Sequence, residues 1–232
     1  MTISSDLVTY ACADGVATIT MDDGKANAMS PTMLAAIDGA LDRAEADEAV
    51  VVLRGRPGMF SAGYDLGVFQ SGDGDAVIGM LRAGGGLVRR LLDFPRPVVA
   101  ACTGHALAQG AFTLLAADVR IGVSGPFRFG MNEVAIGMTV PNYAVSVCKH
   151  RMAPTAFDLA LGTGRLVGPE EAQGWGLLDD VVDEAALDQT VATEAARLAG
   201  LVPDAHLGTK RRVRADLAET IRRQIDAEFP AP

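Results

Sequence analysis

Cysteine is scarce in this chain of 232 residues. Cys12, Cys102 and Cys148 are odd in number and far apart, which excludes a disulfide framework or a cysteine metal box. Histidine is as sparse: His105, His150 and His206 have no metal-ligand spacing, so no metal is expected. Basic charge is also in deficit. A formal net charge of -9 argues against a general nucleic-acid binder, whose affinity rests on cations facing phosphate. The N-terminal residues from Met1 to Asp6 lack the basic region and apolar core of a secretory signal. The long apolar segment, Val98 to Ala117, is broken by Gly104, His105, Gln109 and Gly110, a strand-and-turn pattern rather than a membrane span. A cytoplasmic protein with no membrane or nucleic-acid partner is expected. The composition, 49% hydrophobic and 21% charged, is that of a globular protein, and the length suits one good core.

What is present is organised around Cys102 to Asp118. The β-branched run Val98–Ala101 reads as a buried strand, and the residues after it are small and apolar with two glycines: strand, tight turn, buried helix. At such a turn the first helical N–H groups have no intrahelical partner and sit at the positive end of the helix dipole. The turn Ala108-Gln109-Gly110 therefore offers N–H groups to a developing negative oxygen. A second turn of this kind follows the strand Val50–Leu53, where Arg54 to Leu66 holds Gly55, Pro57, Gly58 and Gly63.

Elsewhere, Val16–Met21 alternates as a strand, and Ser30 with Pro31 opens a helix reaching about Asp47. Gly67 to Asp75 reads as a mobile loop. Ala76 to Leu92 reads as a helix ending before Pro95, weakened by Gly84, Gly85 and Gly86. Val119–Gly122 and Phe127–Phe129 read as short strands, and helical patterns dominate beyond Pro141. No internal repeat of fixed period is visible.

Glu133 stands between apolar segments, Phe127–Phe129 and Val134–Ile136. A carboxylate facing a desolvated cavity there has a raised pKa and suits proton transfer; the alternative is a surface glutamate at a helix start. Gly162 to Gly168 has the wrong spacing for a dinucleotide fingerprint, and Gly122 to Gly125 is no nucleophile elbow.

Together these stretches resemble the crotonase superfamily, the enoyl-CoA hydratase/isomerase proteins. Phe60 to Leu66 is similar to that family's Phe-x-Ala-Gly-x-Asp-Leu loop, and Gly104 to Gly110 with Asp118 is similar to its Gly-x-Ala-x-Gly-Gly-Gly turn and downstream Asp. Further matches run from Asn27-Ala28 to Gly174–Leu177. The resemblance implies an α/β fold with a spiral of ββα repeats over residues 1–180 and a helical region, 181–232, that packs in homotrimers or hexamers. It also implies that the N–H groups of Tyr64 and Gln109 hold a thioester oxygen, with Ala62, Gly63, Asp65 and Gly110 shaping the substrate site. Gln109 departs from the glycine of the pattern, but a backbone donor needs no particular side chain.

The segment Met131 to Gly137 resembles the one that bears a catalytic glutamate, here Glu133. Hydratases carry a second glutamate where this chain has Phe112. With Pro141 and Tyr143 downstream of Asn132-Glu133, the pattern is closer to the Δ3,Δ2-enoyl-CoA isomerases. One carboxylate can take a proton from one carbon and return it to another, whereas adding water is easiest with two. The substrate expected is a fatty acyl-CoA thioester, with no further cofactor. Lys25 and the cluster Lys210, Arg211, Arg212 and Arg214 are candidates for the phosphates. A hydratase using Glu133 alone and a non-catalytic acyl-CoA-binding protein are the alternatives.

Overall fold

The computed structural model describes residues 2–4 and 7–230. Its first elements are β1 (Thr2–Ser4), β2 (Val8–Ala13), β3 (Val16–Met21), α1 (Pro31–Ala46), β4 (Val50–Arg54), β5 (Gly58–Ser61), α2 (Leu66–Gln70) and α3 (Gly74–Asp93). Next come β6 (Val98–Cys102), β7 (Gly104–Leu107), α4 (Gln109–Ala116), β8 (Val119–Val123), β9 (Phe129–Gly130) and one 3-10 turn, Glu133–Ile136. The chain ends with α5 (Asn142–Arg151), α6 (Pro154–Thr163), α7 (Pro169–Gly174), β10 (Asp180–Val182), α8 (Glu184–Ala199) and α9 (Pro203–Glu228).

Seven strands form one sheet in the order β1-β2-β3-β4-β6-β8-β10, antiparallel as far as β3 and parallel beyond it. β5, β7 and β9 form a smaller parallel sheet. The chain therefore steps three times from a strand of the large sheet to a strand of the small one and then into a helix: β4-β5-α3, β6-β7-α4 and β8-β9-α5. This is the ββα spiral. β6 is buried along its whole length because both faces of the large sheet are covered, which is why its sequence is a continuous apolar run. Val51, Leu53, Val98 and Ala100 join the main core with α1, α3, α4 and α5. Val50, Val52, Val99 and Ala101 point the other way, onto Leu187, Val191, Ala195 and Leu198 of α8.

Ser30 caps α1 by accepting from the Met33 N–H at 3.1 Å, with Pro31 in the first turn. α3 runs unbroken through Gly84, Gly85 and Gly86, contrary to the weakening that helix propensity predicts. Packing decides this: a Cβ on Gly84 would lie 2.0 Å from the Tyr64 hydroxyl oxygen, and one on Gly85 would lie 2.9 Å from Ile225. The expected loop at 67–75 is mostly helical too, with Asp65 capping α2 and Asp73 capping α3.

A division at residue 180 cuts β10, which pairs with β8. The helical tail packs on its own chain, with α9 laid across α3 and α5. Ile221 of α9 is fully buried there, while Val202 and Val213 stay exposed. Lys210 and Arg214 are buried as well, both 2.8 Å from the Asp118 carboxylate. They therefore hold the tail to the β6 end of the core and are not free to meet a phosphate.

Candidate active site

The site is assembled where two turns meet. Asn27 is fully buried at φ 48°, and its Nδ2 donates to the carbonyls of Met21 (2.9 Å), Met59 (3.3 Å) and Phe60 (3.2 Å). Ser61 Oγ donates to Asn27 O at 2.8 Å and accepts from the Gly63 N–H at 3.1 Å. Ala62 N–H donates to Ala26 O, and Met29 N–H to Gly63 O. These bonds fix the loop up to Gly63. Among the described residues, neither the Tyr64 nor the Gln109 N–H is committed to a backbone acceptor.

The second turn comes against the first at Gly63. This residue has φ +97°, and a Cβ built on it would stand 2.8 Å from Ala108 Cβ and 3.4 Å from Gln109 N. Gln109 opens α4, so its N–H is one of the donors that the helix cannot satisfy. Ala108 before it sits at φ 49°, ψ -123°, a conformation that glycine adopts more readily. Two unpaired N–H groups on touching turns, one at a helix N-terminus, are the elements of an oxyanion hole.

A cavity of about 270 Å³ opens beside them, lined by Ala62, Tyr64, Leu66, Phe69, Ala108 and Glu133 among others. Among the described residues that line it, Glu133 is the only carboxylate. The 3-10 turn places Glu133 there, and Gly137 closes that turn in the left-handed region. Glu133 is 5% exposed, and its Oε2 meets no hydrogen-bond donor of the protein. Burial pushes its pKa up to about 7, the range in which a carboxylate both takes and returns a proton.

The other expected residues take different places. Gly110 is pressed against Ser61, Asp65 serves as a helix cap, and Pro141 is buried at the start of α5. Phe112 is fully buried with its ring edge-on to Tyr143 at 6.2 Å, and it is not among the residues that line the cavity. Lys25 is exposed, next to Ala26 of the cavity wall. Leu66, Phe69, Ile136 and Met138 also line the cavity and were not foreseen. The spacing of Leu66 and Phe69, three apart as on one helix face, was the signal for them.

Behind the cavity wall, Tyr143 OH donates to Gln109 Oε1 at 2.7 Å and lies 2.7 Å from Tyr64 OH. Burial raises the pKa of both phenols, so both stay protonated.

A model of the enoyl-CoA hydratase/isomerase family matches residues 11–230. A probable enoyl-CoA hydratase of Bacillus subtilis is 31% identical over 201 residues, 84% of this chain and 77% of that protein. Among solved structures, an enoyl-CoA hydratase/isomerase family protein from Pseudomonas syringae superposes with a TM-score of 0.94 at 42% identity, covering 97% of each chain. Human mitochondrial delta3-delta2-enoyl-CoA isomerase superposes with a TM-score of 0.90 at 28% identity, covering 96% of this chain and 88% of that one. In sequence and fold this chain belongs to the enoyl-CoA hydratase/isomerase family of the crotonase superfamily.

Proposed function

We propose that this enzyme moves the double bond of a 3-enoyl-CoA to the 2-position. The observation that carries the reading is the single carboxylate: among the described residues that line the cavity, Glu133 is the only acidic one. The thioester oxygen accepts from the N–H groups of Tyr64 and Gln109, which stabilises negative charge as it forms. Glu133 takes a proton from C2, the electrons pass into the carbonyl as an enolate, and the same carboxyl group returns a proton to C4. The double bond then lies between C2 and C3, and no atom of water is consumed.

The wall formed by Leu66, Phe69, Ile136 and Met138 suits an acyl chain, and exposed Lys25 suits a phosphate of coenzyme A. Val202 and Val213, left exposed on the tail, suit an oligomer, a trimer or a pair of trimers. Hydration is the second reading, favoured by the name of the Bacillus subtilis relative. It lacks a second carboxylate to grip the water. A 3-enoyl-CoA deuterated at C2 separates the two readings. Isomerisation by one base gives a 2-enoyl-CoA with part of the label at C4, whereas a hydratase leaves this substrate unchanged and forms 3-hydroxyacyl-CoA only from the matching 2-enoyl-CoA.

A further inference from the structure

We infer that Tyr143 is a positioning residue: through the hydrogen-bonded chain Tyr64 OH–Tyr143 OH–Gln109 Oε1 it sets the spacing of the two N–H groups that hold the thioester oxygen. This rests on the oxyanion hole in the proposed function.

The direction of every bond in the chain is determined. Gln109 Nε2 donates to Gly84 O at 2.9 Å, so Oε1 of that amide is the acceptor that faces Tyr143. Tyr143 has one proton and gives it to Oε1, so the 2.7 Å contact with Tyr64 is donated by Tyr64. The same Tyr64 proton is shared with Leu81 O, which accepts at 3.3 Å as the longer branch of a bifurcated bond. Leu81 and Gly84 both belong to α3, so the chain closes into a ring that leaves α3 and returns to it through the two residues of the oxyanion hole.

Gln109 departs from the glycine of the family pattern, and its backbone donor needs no side chain. Yet that side chain is fully buried, and both ends of its amide are bonded. Its task therefore lies in the ring. α3 makes room for the ring at Gly84, where the Tyr64 hydroxyl fills the space a side chain would need. Tyr143 is held on two sides by ring edges, Phe112 at 6.2 Å and Phe229 at 6.4 Å. Phe229 follows α9 and its carbonyl accepts from Arg82 of α3 at 2.8 Å, so the end of the tail is seated on the ring as well. Phe112, at the position of the missing carboxylate, thus serves the same device. Any shift of one turn against the other has to stretch a buried bond in this ring, which keeps the two donors preorganised for the oxyanion.

The test uses a conjugated aryl-enoyl thioester of coenzyme A, whose absorption moves to the red when its carbonyl oxygen is polarised. Tyr143→Phe keeps the ring and removes the hydroxyl; Gln109→Met keeps the backbone N–H and removes the amide. Each is expected to bind the chromophore within about threefold of wild type, to lose most of the red shift, and to lower kcat for isomerisation roughly 10- to 100-fold with KM little changed. The double variant should be no worse than the weaker single one, because both break the same chain. Loosened packing alone would lower thermal stability and leave the red shift of the folded protein intact. Should Tyr143→Phe fail to fold, Gln109→Met decides. A wild-type red shift in the folded variants would overturn the inference, as would wild-type protein that binds the chromophore with no red shift. A wild-type protein that shifts the chromophore, loses that shift in the variants and leaves 3-enoyl-CoA unconverted would remove the isomerase reading and leave this inference standing.

Discussion

Gly63 stands so close to Ala108 that a side-chain carbon on Gly63 would lie 2.8 Å from the Ala108 methyl. Contact between the two turns is what brings their N–H groups together. Gly63→Ala adds that clash to a φ of +97° and should cost about 2–4 kcal/mol in denaturant unfolding. In the protein that still folds, kcat should fall by at least ~100-fold, since one misplaced donor is worth that much. Ala108→Gly suits the local backbone, so stability should change by less than about 1 kcal/mol and turnover should persist.

Glu133→Gln retains the shape of the side chain and loses the base. Turnover of 3-enoyl-CoA should drop by roughly 10²–10⁴, the usual worth of a general base, with acyl-CoA affinity within a few-fold. Steady-state kinetics together with calorimetric titration separate the two effects.

The raised pKa of Glu133 has two consequences for pH. The active form is the carboxylate, so kcat/KM should rise through about pH 7 and level off above it, and Glu133→Gln should lack this limb. Stability runs the other way. Below the ordinary carboxylate value of 4.5 the proton is bound in folded and unfolded chains alike. As pH rises from there through about 7, the unfolded chain releases it first and the folded state loses ground. By pH 8 the wild type should have lost up to about 3 kcal/mol relative to Glu133→Gln, read from urea unfolding at a series of pH values.

Asp118 is the carboxylate between Lys210 and Arg214, and burial pulls the Lys210 pKa down. Removing the acid in Asp118→Ala leaves two buried cations without it and should cost about 3–5 kcal/mol, whereas Lys210→Met should cost less. Neither change should alter the preference for an acyl-CoA over its 3′-dephospho analogue, because the two cations serve the fold. Competition binding with both thioesters checks this.

The large sheet was legible in the sequence because β4 and β6 are buried runs whose composition declares them. Of the small sheet, only β9 was touched by an expected strand, at Phe129. β5 and β7 have four residues each and begin with Gly58 and Gly104, which pair with one another. They are strands because of that pairing, and local propensity gives no sign of it. Motifs single out Glu133, Tyr64 and Gln109 in the sequence, and the cavity brings Glu133 and Tyr64 together. Position 112 shows the limit: the motif puts Phe112 in the place of a carboxylate, but only the fold turns its ring toward Tyr143. Lys210 and Arg214 read as part of a basic cluster for phosphates until Asp118, 92 residues away from Lys210 in sequence, came between them.

On the proposed reading, one buried glutamate shifts a double bond and does not add water. Purified protein offered matched 3-enoyl-CoA and 2-enoyl-CoA substrates tests it directly, with 2-enoyl-CoA formation and 3-hydroxyacyl-CoA formation followed separately. Isomerisation is expected to be at least about 100-fold faster than hydration, the worth of the absent second acid–base group. Hydration as fast as isomerisation, at the same enzyme concentration and pH, would contradict it.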